Sequence, residues 1–110
     1  IDGHYILKDD IIQNKSDPIH YNLWFELPKD KRFSYKFGHD KETPDNIILP
    51  HSLFDNQNIS YVDHSFRVFA PRYLYLHGKI NRWNNSSGYS DHLPIIAKFS
   101  TQKQTYQIKQ

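Results

Sequence analysis

The chain has 110 residues, 37% of them hydrophobic and 24% charged, with a net charge of +2. That balance supports one small domain, or part of one, with a single modest core. No cysteine is present, which excludes disulfides, and no run approaches the ~20 apolar residues of a membrane span.

In chain order, Tyr5 to Gln13 reads as an amphipathic helix or a β-rich stretch, with Ile6, Leu7, Ile11 and Ile12 fitting helical spacing slightly better. Asp17-Pro18 reads as a turn, and Tyr21 to Leu27 as a short helix or 3₁₀ segment ended by Pro28. Strands are expected at Arg32–Phe37, Asn46–Leu49, Ser60–Phe69 (with breaks) and Leu93–Ser100. Ser52 to Gln57 is expected to be a helical turn capped by Ser52. Asn81 to Gly88 reads as a mobile loop, and Thr101–Gln110 as a tail or tag-like extension.

Two of these strands carry chemistry at their mouths. Leu93, Ile95, Ile96, Ala97 and Phe99 read as a short buried strand, with Asp91 and His92 at its entrance. A carboxylate there can hold a hard cation or orient a water, and the imidazole can move a proton near neutral pH. The plain alternative is a polar turn before a strand. Upstream, Thr43-Pro44-Asp45-Asn46-Ile47-Ile48-Leu49-Pro50 sets a second acid at the mouth of a second apolar strand. If the two strands are neighbours, Asp45 can accept a hydrogen bond from one ring nitrogen of His92 and fix its tautomer. No serine or cysteine nucleophile accompanies this pair.

The segment Asp45 to Leu53, followed by Ser90-Asp91-His92-Leu93-Pro94-Ile95, resembles the C-terminal half of the endonuclease/exonuclease/phosphatase superfamily, which includes deoxyribonuclease-like enzymes. Tyr21-Asn22-Leu23-Trp24 and Arg32 to Phe37 resemble the elements leading into the acidic strand. Phe69 to Leu74 and Lys79 to Trp83 look like loop segments of bacterial members, so the likeness runs from about Tyr21 to Phe99. It implies an α+β fold, half of a four-layer α/β/β/α sandwich with mainly antiparallel sheet and short helices on one face. It also implies phosphoester hydrolysis, most simply of DNA, with Mg2+ or another divalent cation such as Mn2+ or Ca2+. By motif position His92 would activate the attacking water, Asp45 would orient His92, and Asp91 would join the metal or water network.

The chain departs from that family by length and by missing motifs. The N-terminal half, with its metal-binding Asn and Glu, a second His and a Gly-Asp-Phe-Asn segment, has no counterpart among residues 1–110. Neither Glu26 nor Glu42 sits in a matching context. With no methionine in the chain, Ile1 is expected not to be the translated start. Cytoplasmic and exported locations both stay open. The expected partner is the N-terminal half, on the same or a separate chain, and a lone half would expose an apolar face. Two alternatives remain: a phosphatase of the same superfamily, and a half-domain kept as a nucleic-acid or protein binding module.

Other residues carry open readings. A pI near 8.8 permits contact with phosphates without demanding it. Lys41, in the loop Gly38-His39-Asp40-Lys41-Glu42, either contacts a phosphate or belongs to a solvated hairpin turn. Lys79, Arg82 and Trp83 either grip nucleic acid or, for Trp83, pack on a sheet edge. The seven histidines form no ligand pair of zinc-site spacing, and His51 and His64 read as surface or satisfied polar residues.

Overall fold

A computed structural model describes residues 6–13, 19–82, 84 and 86–108. Tyr5, the expected Asp17-Pro18 turn and Trp83 lie outside the described residues. Helical spacing prevails near the start: α1 spans Lys8–Gln13 and buries Ile11 completely. Strand β1 (His20–Asn22) then runs into a 3₁₀ turn, Leu23–Glu26, where the Asn22 side chain accepts from the Trp24 N–H at 3.0 Å. That cap satisfies one of the donors a helical start leaves open.

The strands are short and antiparallel, in small sheets. β1 pairs with β4 (Ile48–Pro50), and β2 (Tyr35–Phe37) forms a hairpin with β3 (Asp40–Glu42). Gly38, with φ of 62°, begins the two-residue connection, the position at which a type II′ turn favours glycine. β5 (Ser60–Tyr61) pairs with β10 (Phe99–Ser100), β6 (Arg67–Val68) with β9 (Ile95–Ile96), and β7 (Tyr75–Leu76) with β8 (Lys79–Ile80).

Several expectations need correction. The run Leu93–Ser100 is two strands with different partners, since β9 and β10 pair with β6 and β5. Only Leu93 of its apolar residues is buried, at 2% exposure, whereas Phe99 is exposed. The turn after β4 spans His51–Leu53 with Pro50 before it and no side-chain cap, so Ser52 lies inside the turn rather than at its start. The C-terminal segment is no free tail. Tyr106 packs on Phe54 with ring centroids 5.3 Å apart, and its hydroxyl donates to the Tyr61 carbonyl at 2.7 Å. Gln104 and Asn56 exchange two hydrogen bonds, of 3.0 and 2.7 Å.

The core is largely aromatic. Ile11, Tyr21, Leu23, Trp24, Leu49, Phe54, Tyr61 and Phe66 form one buried cluster, and Trp24 meets Phe66 edge-to-face at 5.1 Å. Aromatic cores bring polar tips inside, and here they converge. The hydroxyls of Tyr21 and Tyr61 donate to the two oxygens of Glu26, at 3.0 and 3.2 Å. Burial, reinforced by the Glu26 charge, holds both phenols above their ordinary range. Lys8 completes the group: its ammonium lies 3.1 Å from Glu26 and also bonds Asp63, tying α1 to the far side of the core.

Candidate active site

Asp45 and His92 meet, by a route the sequence did not indicate. Their strands are not sheet neighbours, because β4 pairs with β1 and β9 with β6. The link runs through β2. Tyr35 forms an isolated antiparallel bridge with His92, and the Leu93 N–H donates to the Ser34 carbonyl at 2.7 Å. The Tyr35 ring lies 5.5 Å from the imidazole. On the other side, the Trp24 indole N–H donates to the Asp45 carbonyl at 2.8 Å and pins the acid's backbone to the core.

Asp45 Oδ2 lies 2.7 Å from His92 Nδ1 and accepts a second bond, also 2.7 Å, from the Ser34 hydroxyl. An ionised carboxylate only accepts, so Nδ1 carries a hydrogen, and in the neutral ring Nε2 keeps its lone pair. Asp91 stands on that side, with Oδ1 3.9 Å from Nε2, beyond direct hydrogen bonding and within reach of one bridging water. The His92 N–H donates to Ser90 Oγ at 3.1 Å, which fixes the residue's entry to the strand mouth.

The Ser34 hydroxyl bond holds the Asp45 carboxyl below its ordinary value of 3.8, helped by the hydrogen bond and charge of His92 and opposed by partial burial. A carboxyl depressed in the folded chain contributes stability that is complete above its unfolded value and is lost as pH falls through its folded one. Ser34→Ala is therefore expected to move the Asp45 pKa up toward the ordinary value, measured by carboxyl-carbon NMR titration. An unchanged titration would contradict the role given to Ser34. Sequence reasoning missed this residue: Ser34 is fully buried at the bend just ahead of β2, between Phe33 and Tyr35, and a buried hydroxyl needs a partner.

The remaining candidates lie around this pair. Lys41 is bound within the chain: its ammonium lies 4.9 Å over the Phe33 ring and donates to the Asp30 carbonyl at 3.1 Å. Lys79 is exposed on β8, and the Arg82 guanidinium lies 5.9 Å over the Phe37 ring. Arg82 and Tyr89 are held close together by Gly88, whose φ is 83°. A Cβ there would lie 2.0 Å from the Arg82 carbonyl oxygen. Gly88→Ala is expected to destabilise the chain by at least about 1 kcal/mol and to displace this loop, read as a lowered thermal midpoint.

Magnesium asks for one or two carboxylates, with water and phosphate filling its other positions. At this face Asp91 offers one carboxylate, and Asp45 is engaged by Ser34 and His92. These residues do not complete a metal site by themselves. Among the described residues, the group spaced for an ion is Glu26, Asp63 and His64. There the Lys8 ammonium already bonds both carboxylates. His51 Nδ1 donates to the Ile11 carbonyl at 2.7 Å, which makes it a satisfied polar residue. A cavity of about 320 Å³, lined by residues including Lys8, Tyr21, Phe25 and His64, lies at the Glu26 cluster rather than at His92.

No family model, curated protein or solved structure matches this chain. Among the described residues no helix is long and apolar enough to cross a membrane.

Proposed function

We propose that this chain is the C-terminal lobe of a divalent-metal-dependent phosphodiesterase, a nuclease in which His92 is the general base. The observation that carries the reading is the 2.7 Å bond from His92 Nδ1 to an ionised Asp45, which leaves Nε2 as the proton acceptor. Asp45 orients the ring and stabilises the imidazolium formed when Nε2 takes the proton of an attacking water. Asp91, 3.9 Å from Nε2, positions that water or contributes one carboxylate to the cation. The cation, when bound, neutralises the phosphate and the developing charge. Its further ligands come from a second lobe.

Half of a four-layer α/β/β/α sandwich is the architecture that accompanies this reading. It is supported by aliphatic side chains left open to solvent: Leu7, Ile48 and Ile59 are 63%, 51% and 46% exposed. The test is hydrolysis of plasmid DNA, a chromogenic phosphodiester and a phosphomonoester by the gene product, expressed with whatever sequence its gene places ahead of Ile1. Cleavage of the diesters with magnesium and none with chelator is expected. Preference for the monoester would favour a phosphatase, and no hydrolysis of any of them would leave a binding module.

A further inference from the structure

We infer that the surface beside His92 is a stacking platform for single-stranded nucleic acid, an inference that rests on the nuclease reading for where the scissile bond would lie. Phe37, Tyr73 and Tyr89 are 64%, 56% and 56% exposed, the most open Phe and Tyr rings among the described residues, whereas Tyr21, Trp24, Phe54, Tyr61 and Phe66 are buried in the core. They are connected. Tyr35 and Phe37 are two residues apart on β2 and share one face, about 6.6 Å apart along the strand. Since the Tyr35 ring touches the imidazole, Phe37 lies one step outward from His92. Arg82 lies over Phe37, the Tyr89 N–H donates to the neighbouring Asn81 carbonyl at 2.8 Å, and Tyr89 meets Tyr73 edge-to-face at 5.5 Å.

The charge around these rings has one sign on one side. From His64 to Ser90 the chain carries Arg67, Arg72, Lys79 and Arg82 and no Asp or Glu. Arg72, Lys79 and Arg82 are all exposed. Glu42, opposite Tyr35 on β3, and Asp91, beside His92, lie at the catalytic end, and Asp40 stands opposite Phe37 at the hairpin turn, so the positive side of the rings is the one that carries Arg72, Lys79 and Arg82. Flat rings interleaved with cations suit a strand whose bases are free to stack while its phosphates are gripped. A duplex keeps its base faces inside and offers these rings nothing.

The experiment is fluorescence anisotropy of the chain with labelled oligothymidylate in chelator, where no cleavage occurs. A matching duplex and phosphatidylserine vesicles serve as competitors. The single strand is expected to bind at least about tenfold tighter than the duplex, with Phe37→Ala and Tyr89→Ala each weakening it roughly 5- to 150-fold. Both side chains are largely exposed, so thermal midpoints should not move. Equal binding of duplex, preference for vesicles, or aromatic variants that bind like wild type would overturn the inference. Binding in this pattern, with no hydrolysis by the gene product that includes whatever its gene places ahead of Ile1, would remove the catalytic reading and keep this one. Magnesium-dependent cleavage unaffected by Phe37→Ala and Tyr89→Ala would do the reverse.

Discussion

Replacing Lys8 with methionine is expected to destabilise the protein by about 3–5 kcal/mol, the usual effect of removing one member of a buried ion group. The side chains of Lys8, Glu26 and Asp63 are only 9%, 4% and 11% exposed. The ammonium bonds both carboxylates, and Glu26 in turn receives the hydroxyls of Tyr21 and Tyr61. Without Lys8 two carboxylates would face one another inside the fold, and the two phenols would be bonded to an uncompensated charge. Against a total stability of roughly 5–15 kcal/mol for a domain, that is a large share. Urea unfolding measures it, as a shift in midpoint at unchanged slope. Adding Glu26→Gln and Asp63→Asn to Lys8→Met should recover part of the loss, since no unpaired charge then remains. A change under about 1 kcal/mol for Lys8→Met would mean that the three groups are solvated and do not tie α1 to the core.

His92→Ala is expected to lower kcat for phosphodiester hydrolysis by about 10²- to 10⁴-fold, the contribution of a positioned general base. Binding should change far less, because the proposed contacts with nucleic acid belong to other residues. The imidazole is half-exposed and the fold does not depend on its packing, so the thermal midpoint should stay close to wild type. Asp45→Asn should fall between the two, since the ring remains while its anionic orienting partner is lost. Unaltered kcat in His92→Ala would exclude the residue as base whatever the metal dependence.

Both residues of the candidate pair stand out in the sequence because Pro44-Asp45 and Asp91-His92 each precede an apolar run. What joins them does not stand out. The bridge from Tyr35 to His92 is a single residue pair, and the strands on either side are two or three residues long. Alternation over so few positions carries no register, which is why Leu93–Ser100 reads as one strand and folds as two. The 3₁₀ turn before Pro28 was readable because proline fixes its end locally. The Lys8 group was not, as it joins residues 55 apart. Tyr106 reads as tail for the same reason: its anchor is Phe54, and nothing local marks it.

The measurement closest to the central claim is nitrogen-15 NMR of the His92 ring on the alkaline side of its titration, in wild type and Asp45→Asn. The geometry requires the hydrogen on Nδ1 and a bare Nε2 in the wild type, with a mixture of the two neutral forms once the carboxylate is gone. A wild-type ring that carries its hydrogen on Nε2, or a tautomer indifferent to Asp45→Asn, would contradict the account.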